Sequence, residues 1–371
     1  MRRESPLILG GGPAGAAAAI ALGRAGLRPV VLERHAEPQD ALCGGFLSWS
    51  TARRLMGLGI DPASLGARPI DRLRLFAGSR SAEARLPQCA WSLSRRVLDR
   101  ALLARAEAEG AEVRRGVKVA ALEAGKAMLA DGAVLEADAL VLATGKHDLR
   151  GAGRATRASD PAIGLRWRLP GTVKLGEVIG NAVEIHLFAG GYAGLALQED
   201  GVGNMCMAVR RSVLSAAGGD PVRLLGHLAA ANPALASRIE AAGSDPGPAQ
   251  AVANVPYGWI ASHPAGGALR IGDQAAVIPS LAGEGIAIAL ASGMAAARAI
   301  RQGLEAAHFQ RRLARRLRLP VRVAGTIAGA GTHPAGASAM VWAVGLVPAL
   351  SRLAAHLSRV DDDRRYSIPP G

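Results

Sequence analysis

Glycines and one carboxylate near the start of the chain have the types and spacing of a nucleotide-binding site. Gly10, Gly12 and Gly15 form a G-x-G-x-x-G pattern, and Glu33 follows 23 positions after Gly10. In such a pattern the first glycine permits a tight turn, the second lets the backbone approach a pyrophosphate, and the third lets a helix pack closely on a sheet. An acid about 20 positions later is placed to bind ribose hydroxyls. The expected chemistry is therefore the binding of a dinucleotide.

Two short apolar runs would position these residues. Residues 7–9 and 30–32 predict strands, and the alanine-rich segment between Pro13 and Gly26 predicts a helix. The start of that helix would face the phosphates with unpaired N–H groups and a partial positive charge. The alternatives are an ordinary glycine turn in an αβ unit and a secretory signal beginning at Arg2 and Arg3. Glycines and Pro13 interrupt the apolar tract, which argues against the signal.

A segment far along the chain offers related chemistry. Residues 268–271 predict a strand that ends in Gly272 and Asp273, and an alanine-rich helix is expected to open at Ile286 after Gly283 and Gly285. A carboxylate at a strand end can accept hydrogen bonds from ribityl or ribose hydroxyls. A helix start flanked by glycine can hold negative charge. The alternative is that Asp273 is a turn residue and that the glycines only cap local structure.

A cysteine lies in a loop between these two segments. Cys43 precedes Gly44 and Gly45, and two glycines indicate backbone held close to something flat. One interpretation makes Cys43 a small buried apolar residue, as most lone cysteines are. The other places it at the face of a cofactor ring.

The remaining patterns predict a mixed α/β chain. Alternation over residues 70–86 indicates a hairpin, residues 94–109 a helix, and residues 117–122, which include Val119, a strand. The strand that ends in Ala143-Thr144-Gly145 returns to the parallel sheet, with residues small enough for its backbone to contact a dinucleotide. Residues 160–210 predict antiparallel strands, and residues 212–242 are helical by period.

Composition limits the binding partners and the cellular location that we expect. The net charge is +14, but aromatic residues make up 3% of the chain and no arginine-rich run contains several of them, so nucleic acid binding is not expected. Three scattered cysteines predict neither a disulfide framework nor a metal site, and they favour a reducing, cytoplasmic location. No apolar stretch is long enough to predict a membrane span.

The region after residue 304 is rich in arginine. Arginines alternate with leucines between Arg311 and Arg322, and apolar helical sequence continues to Leu357. A basic amphipathic helix can rest on anionic lipid. The alternative is a solvated face of a helix that packs on its own protein.

Taken together, these segments resemble the flavoprotein group of geranylgeranyl reductases and single-component aromatic hydroxylases of the para-hydroxybenzoate hydroxylase type. The resemblance implies an FAD-dependent oxidoreductase, with NAD(P)H as the expected electron donor. It also implies that Arg95, in the Arg95-Arg96-Val97-Leu98-Asp99 segment, lies near the pyrophosphate. The Leu42-Cys43-Gly44 loop is similar to the cysteine loop beside the flavin ring in geranylgeranyl reductases. The cofactor-binding residues expected are Gly10, Gly12, Pro13, Ala14, Gly15, Glu33, Arg34, Cys43, Gly44, Arg95, Val119, Ala143, Thr144, Gly145, Gly272, Asp273, Gly283, Gly285 and Ile286, with Cys43 also the candidate catalytic residue.

The same resemblance implies an α/β fold with a Rossmann-like FAD-binding domain of the glutathione reductase type. That domain is expected over residues 1–69, 90–158 and 264–303. An interleaved antiparallel-sheet substrate domain would comprise residues 70–89 and 159–263, followed by a helical C-terminal segment, 304–371. Within the substrate domain, Trp167, Tyr192, Tyr257 and Trp259 are expected to line a hydrophobic pocket.

Two departures limit what the resemblance implies. Geranylgeranyl reductases have an aromatic and proline stretch after their Gly-Tyr pair, where this chain reads Gly-Leu-Ala-Leu over residues 194–197. Aromatic hydroxylases carry an Asp-Gly pair linked to NAD(P)H use, and residues 158–162 lack one. Three functions therefore stay open: reduction of an activated double bond on a lipophilic molecule, hydroxylation of a phenolic or polyketide lipid, and non-enzymatic transport of a prenyl lipid.

Overall fold

A parallel sheet of five strands carries the glycine turn. The structure, a computed structural model, describes residues 6–123, 125–154, 158–346 and 359. In the five-stranded sheet the order is β16-β10-β1-β2-β6, and each neighbouring pair is parallel. The strands are β1 (Leu7–Leu9), β2 (Val30–Glu33), β3 (Phe46–Leu47), β4 (Arg68–Ala77), β5 (Arg80–Ser92), β6 (Glu112–Arg115), β7 (Val119–Glu123), β8 (Lys126–Leu129), β9 (Val134–Glu136), β10 (Leu140–Leu142), β11 (Ala162–Leu169), β12 (Ala182–Phe188), β13 (Gly191–Leu197), β14 (Gly203–Arg210), β15 (Gln250–Val255) and β16 (Leu269–Arg270).

Helices cover this sheet and extend beyond it. They are α1 (Pro13–Gly23), α2 (Trp49–Gly57), α3 (Arg95–Ala108), α4 (Val173–Ile179), α5 (Arg211–Ala216), α6 (Pro221–Ala231), α7 (Pro233–Ala241), α8 (Gly285–Arg301), α9 (Ala306–Gly331) and α10 (Pro334–Leu346). The helical stretch predicted over 212–242 is three helices, because Asp220 and Asn232 each cap a new helix whose first residue is a proline.

Two apolar helices form the tightest contact beside the parallel sheet. A Cβ built at Gly293 of α8 would lie 2.2 Å from the carbonyl oxygen of Ala14 in α1, so the two backbones touch. Nine of the eleven residues of α1 are buried, and a helix that is apolar on all sides belongs inside a protein. This contact holds the segment after β1 against the segment after β16.

A second sheet has eight strands in the order β15-β11-β14-β13-β12-β4-β5-β3. Its pairs are antiparallel apart from β4 and β12, which run parallel from Arg72 opposite Ala182 to Ala77 opposite Leu187. The sequence predicted the antiparallel strands but not this parallel pair. A third, antiparallel sheet contains β7, β8 and β9.

Both faces of the eight-stranded sheet are covered. Leu165, Trp167 and Leu169 of β11 lie on the outer face, in a buried cluster with residues of α4, α6 and α7. The alternate residues Gly164 and Arg166 lie on the inner face, which contacts the loop that contains Cys43.

The predicted fold class is confirmed: the parallel core, the interleaved second sheet and the helical C-terminal part are all present. The domain boundaries stay a prediction. Residues 347–358 and 360–371 of the predicted C-terminal segment lie outside the described residues. Within the described ranges, no helix has both the length and the apolar character needed to cross a bilayer.

Candidate functional site

The glycine turn has the close backbone approaches that its spacing predicts. Gly10 has φ +112°, and a Cβ there would lie 2.5 Å from the carbonyl oxygen of Ala143. A Cβ at Gly15 would lie 1.9 Å from the carbonyl oxygen of Gly10. Neither position has room for a side chain. Gly12 is the N-cap of α1, and no side chain caps that helix, so its first turn presents backbone amides.

The acid at the end of β2 lies directly beside this turn. Glu33 accepts hydrogen bonds from the backbone N–H of Gly11 at 2.8 Å and from that of His35 at 2.9 Å. The neighbouring Arg34 donates to His35 at 2.8 Å. The carboxylate is thus fixed at the carboxyl end of the strand, where ribose hydroxyls would reach it.

A partly buried arginine lies over the second glycine. A Cβ at Gly12 would lie 3.4 Å from Nη2 of Arg95. Nε of Arg95 donates to Oδ1 of Asp99 at 2.8 Å, and Nη2 donates to Oδ2 at 2.7 Å. Burial alone would lower the pKa of Arg95, but Asp99, with Cys43 and Asp273 nearby, raises it above its ordinary value. The structure therefore brings Arg95, Cys43 and Asp273 into one electrostatic neighbourhood at the glycine turn.

The segment after β16 also contacts the glycine turn. A Cβ at Gly272 would lie 2.9 Å from the Cβ of Ala14, and Gly272 has φ +58°. Its backbone N–H donates to Ser292 Oγ of α8 at 2.9 Å. Asp273 follows this glycine, so the two segments identified far apart in the sequence meet at one end of the parallel sheet.

A clamp that the sequence did not indicate holds the loop after β10 against Asp273. Arg154 is buried and donates to the carbonyl oxygens of Asp273 at 3.1 Å and Lys146 at 2.8 Å. Gln274 is fully buried and donates to the carbonyl oxygens of Gly145 and His147. No sequence pattern marks an arginine or a glutamine for this task, because the contacts join loops distant in the chain.

The loop after β10 also lies near the acid at the end of β2. Its Ala143 accepts the close approach of Gly10, and Thr144 Oγ1 donates to the carbonyl oxygen of His147 at 2.7 Å. Burial, with Arg34 the next contribution, lowers the pKa of His147. The Ala143-Thr144-Gly145 segment is therefore held beside the glycine turn.

The start of α8 closes the other end of the cleft. Gly283 has φ +66°, and a Cβ there would lie 2.6 Å from the ring of Phe46 in β3. Gly285 is exposed and begins a helix that no side chain caps, while Ile286 is buried behind it. The amides of this first turn are available to an anion.

The cysteine loop lies between these ends. Lys146 Nζ donates to the carbonyl oxygen of Leu42 at 2.6 Å, and Asn204 donates to that of Cys43 at 3.0 Å. The backbone N–H of Gly45 lies 3.4 Å from the Cys43 sulfur. Cys43 is partly buried and Gly44 is exposed, so this loop borders the cleft.

Two of the predicted substrate residues meet at a serine. Tyr192 and Tyr257 each lie within hydrogen-bond distance of Ser280 Oγ, at 2.9 and 3.2 Å, and Tyr192 accepts from the N–H of Leu281. Burial raises the pKa of both phenols. The two tyrosines thus contact the turn at Ser280–Ala282, which leads to α8.

The other two predicted substrate residues do not join this cluster. Trp167 is 0% exposed and points into the outer-face core, so the geometry does not support a substrate contact there. Trp259 lies under the guanidinium of Arg270, 5.5 Å from the ring centre. Val119 is partly buried and packs against the apolar cluster that contains Leu9 and Leu32.

The order of these groups therefore suits a long molecule with an anionic middle. One end offers Glu33, the middle offers helix amides and Arg95, and the far end offers Asp273 and the start of α8. A dinucleotide with a pyrophosphate between two polyhydroxylated groups matches that order of groups.

Comparison with known proteins agrees with this geometry. Residues 4–147 match the family described as "FAD binding domain". No curated protein matches the chain in sequence. The fold is similar to that of the flavin-dependent brominase Bmp2 (TM-score 0.78, 16% identity, covering 96% of this chain and 94% of Bmp2).

Two further structures have the same fold. PqsL of P. aeruginosa, solved in complex with 2-aminobenzoylacetate, has a TM-score of 0.74 and 17% identity, covering 91% of this chain and 99% of PqsL. A geranylgeranyl bacteriochlorophyll reductase-like protein from Thermoplasma acidophilum has a TM-score of 0.72 and 19% identity, covering 96% of this chain and 97% of its own. The predicted flavoprotein group is confirmed at the level of the fold.

Proposed function

We propose that this protein is an FAD-dependent oxidoreductase that acts on a lipophilic small molecule, since residues 4–147 match the FAD-binding domain family. The observation that carries the proposal is that Arg95 lies over Gly12 of the glycine turn, while Gly272, the neighbour of Asp273, lies against Ala14 of the same turn. Bound FAD would supply the redox chemistry, which is hydride transfer or oxygen activation, while the protein binds and orients the reactants.

Each part of the cleft would hold one part of FAD. Glu33 would accept the hydroxyls of the adenosine ribose, and the start of α1 with Arg95 would face the pyrophosphate. Asp273 would accept ribityl hydroxyls, and the amides of Gly285 and Ile286 would face the flavin ring. These amides and the helix dipole favour negative charge, which suits a ring that gains electrons.

The substrate would lie beside the cysteine loop, over the part of the inner face of the eight-stranded sheet that the loop does not cover. The residues near Tyr192 on this face are small: Gly194, Cys206 and Ala208. Burial raises the pKa of Cys206 to about 12, so its thiol stays protonated and adds only volume. Such a lining suits an apolar molecule with a few polar groups.

Reduction of an activated double bond is the activity that the cysteine loop favours. Cys43 would border the flavin ring, where its thiol could orient the substrate or donate a proton. NAD(P)H is the proposed electron donor.

The hydroxyl cluster of Tyr192, Ser280 and Tyr257 favours a second candidate, hydroxylation of a phenol, because a chain of hydroxyls can bind a phenolic oxygen and pass on its proton.

Oxygen dependence separates these activities. Purified protein should be yellow or should take up FAD, with a flavin absorption spectrum. With NADH or NADPH as donor, a reductase consumes an activated alkene without oxygen, whereas a monooxygenase needs oxygen and incorporates one of its atoms. A colourless protein that cannot be reconstituted with FAD would contradict the proposal and favour the prenyl-lipid carrier.

We also propose that helix α9 rests on anionic lipid. Between Glu305 and Asp361 the sequence has eight arginines and no acid. Arg311, Arg315, Arg318 and Arg322 recur at helical spacing and are exposed, and Leu319 beside them is 61% exposed. The opposite face of α9 packs on the protein core, so the contact would be mainly electrostatic.

A charge-matched pair of variants tests the lipid contact. Changing Arg311, Arg315, Arg318 and Arg322 to Gln should weaken binding to vesicles containing phosphatidylglycerol about a thousandfold in co-sedimentation, at about 1 kcal/mol per arginine. The control changes the exposed Arg68, Arg85, Arg100 and Arg223 to Gln, which removes the same charge elsewhere. Equal losses in both variants, or equal binding to phosphatidylcholine alone, would contradict a specific surface on α9.

A further inference from the structure

A buried arginine on the second sheet holds the loop that contains Cys43. Arg166 of β11 donates to the carbonyl oxygens of Asp40 at 2.8 Å and Ala41 at 3.4 Å, and to the Asp40 carboxylate at 2.6 Å. Its Nε donates to Asn204 at 2.7 Å. One side chain thus binds backbone and side-chain groups of the loop while it is itself fixed to the sheet.

The arrangement around Arg166 is charged and enclosed. Its side chain is 1% exposed, and a buried guanidinium needs a counter-charge and hydrogen bonds to offset the loss of water. Asp40 supplies the counter-charge and also accepts from Arg168 at 2.6 Å. Two guanidinium groups against one carboxylate leave one positive charge at the inner face of the sheet.

Neighbouring residues extend this contact toward the cysteine. Asn204, held by Arg166, donates to the carbonyl oxygen of Cys43 at 3.0 Å. Gln198, directly after β13, is fully buried against the end of the loop, and a Cβ at Gly45 would lie 2.2 Å from its Nε2. The loop from Asp40 to Gly45 is therefore seated on a polar layer of the sheet.

We propose that Arg166 is a positioning residue that fixes the Cys43 loop against the flavin, with Asp40 as the counter-charge that keeps it in place. The statement about the flavin rests on the proposed function, whereas the seating of the loop does not. Two consequences follow: loss of the ion pair releases the loop, and the charge balance of the pair acts on the flavin.

The sign of the second consequence distinguishes charge from packing. Removing the positive charge of Arg166 should make the reduced, negatively charged flavin less stable and lower the reduction potential. Removing the negative charge of Asp40 should do the opposite and raise it. A residue that merely supported the fold would shift the potential in the same direction in both variants.

Cysteine alkylation measures the first consequence without any substrate. Iodoacetamide labelling of Cys43, followed by mass spectrometry, has an internal reference in the exposed Cys89. In Arg166→Met and Asp40→Asn we expect labelling of Cys43 relative to Cys89 to rise about tenfold, because local opening of the loop exposes the thiol. Arg168→Gln is the matched control: Arg168 shares the Asp40 carboxylate but contacts no loop carbonyl, and it should change labelling less than about twofold.

The same variants, loaded with FAD, test the charge effect. Arg166→Lys keeps the charge but loses the fork of donors, so labelling of Cys43 should rise while the reduction potential stays near that of the wild type. Should Arg166→Met fail to fold, Asp40→Asn and Arg166→Lys still test both roles. Unchanged labelling of Cys43 in these two variants overturns the seating role. A reduction potential that shifts in the same direction in Asp40→Asn as in either Arg166 variant overturns the charge role. Failure to bind FAD contradicts the proposed function but leaves the labelling result valid.

Discussion

The missing side chain of Gly15 lets helix α1 lie directly against the turn that precedes it. A Cβ at this position would lie 1.9 Å from a backbone oxygen, which neither a rotamer change nor a small shift can relieve. A Cβ at Gly10 would likewise lie 2.5 Å from a backbone oxygen, and φ of Gly10 is in addition positive, unlike that of Gly15. The shape of the glycine turn therefore depends on the lack of a side chain at both positions.

This predicts opposite effects for two alanine substitutions. Gly15→Ala should destabilise the protein by about 2 kcal/mol or more, because the new methyl group forces α1 away from the turn. Gly176→Ala, in a helix with no atom near the added methyl, should stabilise it by about 0.5–1 kcal/mol. Urea unfolding midpoints measure both. A neutral Gly15→Ala would mean that α1 does not approach the turn this closely.

Two strands of the second sheet and one helix packed on it meet at one buried carboxylate. Glu184 of β12 accepts hydrogen bonds from Arg74 of β4 at 3.1 Å and from Arg238 of α7 at 2.8 and 2.9 Å. The parallel pairing of β4 with β12 places Arg74 directly opposite Glu184. The ion pairs thus connect a hairpin, a central strand and the outer helices.

The charge of Glu184 gives stability a defined pH dependence. Burial would raise its pKa, but His186 and Arg238 lower it from the ordinary 4.5 to about 2. Because the pKa is lower in the folded state, this stabilisation is present above pH 4.5 and is lost as the pH falls toward 2. Its size is about 3 kcal/mol from the pKa difference.

Two variants of acids that share Arg74 test this at pH 7. Glu184→Gln should lose about 3 kcal/mol and should flatten the fall in stability between pH 4.5 and 2. Glu83→Gln removes a half-exposed partner of the same arginine and should cost less than about 1 kcal/mol. Equal effects in the two variants would contradict the role given to burial.

The face on which a strand residue lies marks a limit of prediction from this sequence. Leu165, Trp167 and Leu169 lie on one side of β11 and Arg166 on the other, because side chains alternate along a strand. Both sides of the sheet are covered, so hydrophobicity alone does not indicate which side faces the Cys43 loop. The sequence therefore does not distinguish Trp167 from Arg166 as the residue that lies near the loop.

At the scale of the whole molecule, the local glycine and acid patterns were predictable because each encodes its own turn. The contacts that join distant loops were not. Arg154 and Gln274 connect the loop after β10 to Asp273, and Arg166 connects β11 to the cysteine loop. Such contacts depend on long-range topology, which the spacing of residues along one chain does not reveal.

The cleft itself depends on this topology. Strands β1, β10 and β16 are neighbours in one parallel sheet, so the segments that follow them emerge at the same edge. The contact between α1 and α8 then fixes the distance between the two ends of the site. This arrangement makes the central claim testable by binding alone, without a substrate.

The most direct test compares FAD with ADP, which carries only the adenosine end, in titrations of wild type, Glu33→Gln and Asp273→Ala. Glu33→Gln should weaken the binding of both ligands. Asp273→Ala should weaken FAD about tenfold, for the loss of one charged hydrogen bond, and leave ADP unchanged. Unchanged FAD affinity in Asp273→Ala, or equal losses for FAD and ADP, would show that the two segments do not hold opposite ends of one molecule.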